Sequence, residues 1–135
     1  MHQMELKFRS HNLNITYDLK LAMNASAKAS KYSREQILER MEDSCRRHGI
    51  KTQLSMALLE KWLNPQADEH VLPLKLFPVF CRAVDCDCTE LLSVLIKPLG
   101  YRAIDQEQDK LLCWAEAYHE AKAAKLKLKK IEGSL

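Results

Sequence analysis

The stretch "SREQILERMEDSCRRHGIKTQLSMALLEKWLNP", residues 33–65, constrains the fold more than any other part of the sequence. Its opening "SREQ" is a capping box: the Ser33 hydroxyl can accept from the Gln36 backbone N–H while the Gln36 side chain reaches back to the Ser33 N–H. A helix therefore starts near Arg34. Ile37, Leu38, Met41 and Cys45 fall on one side of it and Arg40, Glu42, Asp43 and Arg47 on the other, and Gly49 offers the left-handed residue that ends it at about His48. Ser55 can cap a second helix in which Leu58 pairs with Trp62 and Leu59 with Leu63, and Pro65 forbids its continuation. Two short helices in tandem either belong to an ordinary core or enter the major groove of DNA.

The rest of the chain is read around this pair. Residues 1–15 are polar with scattered apolar side chains and are expected to be a flexible N-terminal arm. Thr16 is a plausible cap for a first helix, with Asp18 in its opening turn and Leu19, Met23 and Ala27 at four-residue spacing. Pro73 suits the first position of a helix over "PLKLFPVFCRAV", although Pro78 inside it would remove a hydrogen bond, which moves the start toward Leu76. "DCDC" breaks the pattern, and Thr89 is expected to cap "ELLSVLIK", whose run of Leu91, Leu92, Val94, Leu95 and Ile96 predicts a buried helix ending at Pro98 to Gly100. Three Gly and four Pro in 135 residues leave little room for a turn-rich sheet, so the expected class is all-α.

From Gln106 the chain runs without Gly or Pro to Gly133, a sixth and longer helix. Trp114, Ala117, Ala121, Ala124, Leu128 and Ile131 follow the 3-4-3-4-3 spacing of a two-stranded coiled-coil seam. That seam is alanine-rich and covers fewer than three heptads, so packing back onto its own domain competes with pairing of two copies. The division that follows is an arm at 1–15, a helical bundle at 16–104 and a C-terminal helix at 105–135 that is a candidate dimerisation element.

If the tandem pair reads DNA, its second helix must present side chains to base edges from its N-terminal end. Gln53, Ser55 and Met56 would face bases, while Arg47, Lys51, Thr52 and Lys61 would hold phosphates. Glu60 opposes this, and residues 33–64 carry six Lys or Arg against five Asp or Glu, a nearly neutral reading head. Lys122, Lys125, Lys127, Lys129 and Lys130 form the one strongly basic stretch. Without interleaved aromatic residues it reads as the solvated face of a terminal helix sooner than as a nucleic-acid footprint.

Other classes find less support. The net charge of +3 permits an anionic partner without advertising one. Five cysteines, an odd number, and a Met1 to Ser10 segment without a continuous apolar stretch lead to the expectation of a reducing, cytoplasmic setting. No window approaches a membrane-spanning length. Cys81, Cys86 and Cys88 are spaced C-x4-C-x-C, which does not match the usual zinc clusters, so neither a metal nor a cofactor is expected. There is no phosphate loop, nucleophile elbow or paired carboxylate, and no enzyme or small-molecule substrate is expected.

The succession "DLKLAMNASAKASKYSREQILERM", "LSMALLEKWLNP", "LPLKLFPVFCRAVDCDCTELLSVLIKPLGY" and a charged final helix resembles small regulator-like proteins of Mu-like transposable phages and prophages, within the wider lambda-repressor-like helix-turn-helix class. The resemblance spans roughly residues 17–130. It implies a compact five-helix bundle with Ser55 to Leu63 as recognition helix, double-stranded DNA as partner, and a role in phage gene regulation in a bacterial host; the extended C-terminal helix, by its own spacing, is expected to form a homodimer. The rival is a helical protein-interaction module, such as an antirepressor or assembly adaptor, that keeps the bundle without DNA affinity.

Overall fold

A computed structural model describes residues 12–133. The expected arm at 1–15 therefore lies mostly outside the described residues. Six α-helices and no strand are present among them: α1 Thr16–Ala29, α2 Arg34–Arg47, α3 Met56–Leu63, α4 Phe77–Val84, α5 Thr89–Ile96 and α6 Gln106–Gly133. The protein is all-α. It divides into two compact units, one ending at Ala103 and the other beginning at Ile104.

Local chemistry explains most of the boundaries. α2 begins with the complete capping box, the Gln36 N–H donating to Ser33 Oγ at 3.2 Å and the Ser33 N–H to Gln36 Oε1 at 2.9 Å. It ends where Gly49 adopts φ +66°, and the Ile50 N–H then donates back to the Cys45 carbonyl at 2.9 Å, closing a Schellman-type turn. Ser55 caps α3 through the Leu58 N–H at 3.1 Å.

Three boundaries depart from expectation. Thr16 is the first residue of α1 and not its cap; its N–H is met instead by Asn14 Oδ1 at 3.3 Å. Pro73 precedes a 3-10 turn, Leu74–Leu76, and the α-helix begins at Phe77 with Pro78 in its first turn, where a missing N–H costs nothing. Thr89 likewise starts α5 without capping it; Asp87 Oδ1 accepts from both the Thr89 N–H and its hydroxyl.

α2 packs on α4, α1 on α5, and α3 on both α1 and α2. Their shared core holds Met23, Ile37, Met41, Leu59, Leu63, Leu76, Phe80 and Val84. α5 was expected to be buried nearly all round, yet only Leu91 is buried, Leu92 is exposed and Val94 and Leu95 are half-buried. The C-terminal carbonyls of α4 are satisfied by side chains: Arg40 donates to Ala83 O at 2.8 Å and Arg82 O at 3.0 Å, and Ser30 Oγ donates to Val84 O at 2.6 Å. Arg40, placed on the solvent face by its spacing, instead caps α4 and lies 4.2 Å from the centre of the Tyr32 ring.

Candidate nucleic-acid interface

The connection from α2 to α3 runs from His48 to Ser55, longer than the turn of about three to four residues found in compact helix-turn-helix pairs. It exits α2 at the left-handed Gly49 and reaches α3 in extended backbone at Ser55. Gln53, Ser55, Ala57 and Lys61 follow it along one side, and with Leu54 and Leu58 they line a single open groove. Ser55 spends its acceptor on the Leu58 N–H, which leaves its hydroxyl hydrogen to donate. Ala57 is exposed beside it, a residue the sequence did not single out although a small methyl there suits contact with a thymine methyl.

The other sequence-predicted residues divide. Lys51 is exposed, and its carbonyl accepts from the Lys75 ammonium at 3.1 Å, so a second cation stands beside it. Lys75 lies 24 residues further on and no local pattern announces it. Arg47 is exposed, but its Nε is 2.9 Å from Asp43 Oδ2, a carboxylate that also draws Arg46 at 3.9 Å. Thr52 faces a separate cleft with Glu42, Cys45, Arg46, Ile50 and Leu54. Met56 is half-buried and packs against the core, so the structure does not bring it to the groove with Gln53 and Ser55.

Glu60 is held from the opposite side. Its carboxylate forms an ion pair with Arg34, whose other nitrogen donates to Asn24 Oδ1 at 2.8 Å. Asn24, Arg34 and Glu60 line a cleft with Lys61, Leu63, Asn64 and Pro65, and Lys61 borders both this cleft and the groove that holds Gln53 and Ser55. The one negative charge on α3 is thereby neutralised and directed toward α1 and α2.

Beneath the end of α3 lies Lys20, 1% exposed, whose ammonium donates to the carbonyls of Lys61, at 2.7 Å, and His70. Burial pushes its pKa below the usual lysine value, partly opposed by the Asp68 carboxylate. It ties the C-terminus of α3 to the loop that follows. The expected buried stripe of Leu19, Met23 and Ala27 passes over Lys20, although Lys20, Met23 and Ala27 are themselves spaced 3-4.

The thiols of Cys81, Cys86 and Cys88 lie together. Cys88 Sγ is 3.9 Å from the Cys81 carbonyl, and Cys86 Sγ donates to Ser26 O at 3.5 Å. A hydrogen bond from Cys88 draws the Cys81 thiol down, while its partner role and burial push Cys88 well up. Among the described residues no group of three or more His, Cys, Asp or Glu side chains is arranged to hold a metal ion. Nor, among them, is any helix long and apolar enough to cross a membrane.

On α6 the seam residues Trp114, Ala117, Ala121, Ala124, Leu128 and Ile131 are all exposed. The Trp114 ring stacks on Tyr118, centroids 5.6 Å apart and planes 16° from parallel. Other apolar side chains, Leu112 and Leu126 among them, lie off this line. No family model, curated protein or solved structure matches the chain.

Proposed function

We propose that this protein binds double-stranded DNA through α3 and the connection before it, as a transcriptional regulator of phage or prophage origin acting in the bacterial cytoplasm. The observation that carries the reading is the arrangement about α3. Gln53, Ser55, Ala57 and Lys61 share one open groove, while the Glu60 carboxylate is drawn to the other side by Arg34. Gln53 can read a base by paired hydrogen bonds, Ser55 can donate to either base type, and Lys61, Lys51 and Lys75 supply the cations that phosphate contact needs. Five helices around one core, with a capped tandem pair, are also what the resemblance to lambda-repressor-like regulators implies.

Fluorescence anisotropy with a random-sequence duplex tests it. Binding at micromolar protein in low salt is expected, and the slope of log affinity against log salt falls by about 0.9 for each of Lys51→Ala and Lys75→Ala. No binding in low salt overturns the reading. Selection of bound fragments from random duplex DNA then distinguishes a sequence-specific regulator from a nonspecific binder.

One observation favours the rival reading, a protein-interaction module. Glu35, Glu39 and Glu42 are exposed along α2, an acidic strip that repels phosphate and suits a basic protein partner. Reversing it with Glu35→Lys and Glu39→Lys strengthens DNA binding without changing the preferred site if the groove is the reading head.

A further inference from the structure

From the exposed seam and the charge distribution of α6 we infer that this helix pairs with α6 of a second copy in antiparallel orientation. The inference stands apart from the DNA reading and uses only the second compact unit.

The helix is electrically divided. Between Ile104 and Glu120 there are five acidic residues against Lys110; between Ala121 and Gly133 there are five lysines against Glu132. Two such helices side by side in parallel place like halves together. Turned head to tail, each acidic half meets the lysine half of its neighbour. Helix axes in such a pair stand about 10 Å apart, close to the Debye length in moderate salt, so the difference is felt.

The seam has the same preference. A two-fold axis across the helices makes contacts reciprocal, so that residue i meets j and j meets i. With the axis between Lys122 and Ala123, Trp114 comes opposite Ile131, Ala117 opposite Leu128, and Ala121 opposite Ala124. Every seam residue thus meets another seam residue, and the Leu128 side chain faces the space that Ala117 leaves. A parallel pair sets each residue against itself, bulky layers at both ends and three Ala–Ala layers between, with nothing to fill the middle.

The flanks separate the two orientations experimentally. In the antiparallel pair Glu120 faces Lys127 of the second copy, twice by symmetry. In a parallel pair Glu120 would face Lys125, and Lys127 would face Glu132. Glu120→Lys or Lys127→Glu alone introduces repulsion in either orientation. The double swap restores attraction only in the antiparallel pair and creates two like-charge contacts in the parallel one.

Sedimentation equilibrium of the full chain, without DNA, reads this directly. We expect a dimer in low salt, weakened about tenfold by either single swap and returned to near the parent affinity by Glu120→Lys/Lys127→Glu. Both residues are exposed, so the swaps leave the core intact, and circular dichroism checks that helix content is unchanged. A monomer at about 100 μM protein, a trimer or larger assembly, or a double variant weaker than the single ones overturns the inference. Because no DNA is present, failure here leaves the α3 reading standing, and failure of DNA binding leaves this one.

Discussion

Lys20 has a task that its charge alone would not suggest. Its ammonium is out of water, so it must be matched by the carbonyls it holds, and removing it strands them. Lys20→Met keeps the stem and is expected to destabilise the bundle by about 1–3 kcal/mol in denaturant titration. The pH dependence has a definite sign. The folded pKa lies below the unfolded one, so between the two values the unfolded chain holds more protons and Lys20 makes stability rise with pH. Stability measured against the Lys20→Met variant is therefore expected to climb as pH approaches 10.5 from below, and a fall would contradict the burial of the ammonium. At Glu60, Arg34→Met removes the neutralising partner, and DNA affinity is expected to drop about fivefold, to be regained in Arg34→Met/Glu60→Gln. These two residues were not equally legible. Lys20 lies beside the Leu19, Met23 and Ala27 stripe and was passed over although a 3-4 period could have marked it, whereas Arg34 and Glu60 are 26 positions apart and only the packing of α3 against α1 and α2 joins them.

The helices themselves were legible wherever a local signal closed at both ends. The Ser33–Gln36 box, the Gly49 stop and the Ser55 cap each act within four or five residues, so sequence spacing specifies them. Ser33→Ala is expected to cost about 1 kcal/mol, and Gly49→Ala about 1–2 kcal/mol although a methyl there would touch nothing, because φ +66° strains any side chain. Both are read as a shifted denaturation midpoint with an unchanged slope. Where two short polar residues compete, sequence reading slips: Asp87 and Thr89 can each turn the backbone, and Asp87 takes both donors of Thr89. The donated Thr89 hydroxyl and N–H hold the Asp87 carboxyl below its usual value. Its contribution is thus complete above pH 3.8 and lost as pH falls through the lower folded value, which acid titration of the Thr89 amide resonance follows. The burial of α5 was misread for a different reason. An apolar run records what a helix could bury, not how many neighbours reach it, and here Leu91 alone is fully covered while Val94 and Leu95 pack against the core only in part.

Among the described residues, all of the buried apolar core lies between Leu19 and Leu91. A chain ending at Ala103 is therefore expected to melt cooperatively within about 4 °C of the full protein, as followed by circular dichroism. The all-helical class and the last helix were readable from the scarcity of Gly and Pro, while the reciprocal capping of Asp105 and Gln108 at its start, a signal present in "DQEQ", was passed over. The geometry around the α3 groove was readable only in part, since Lys75 enters through tertiary packing. The divided charge of α6 carries one more consequence. In the proposed antiparallel pair added salt would screen the attraction between opposite halves, and in the proposed complex it would also weaken phosphate contact. Two equilibria then respond to one variable, and a protein that both pairs and binds DNA would show a salt slope steeper than its phosphate contacts account for. Counting contacts from that slope is sound only at protein concentrations where the dimer is already saturated.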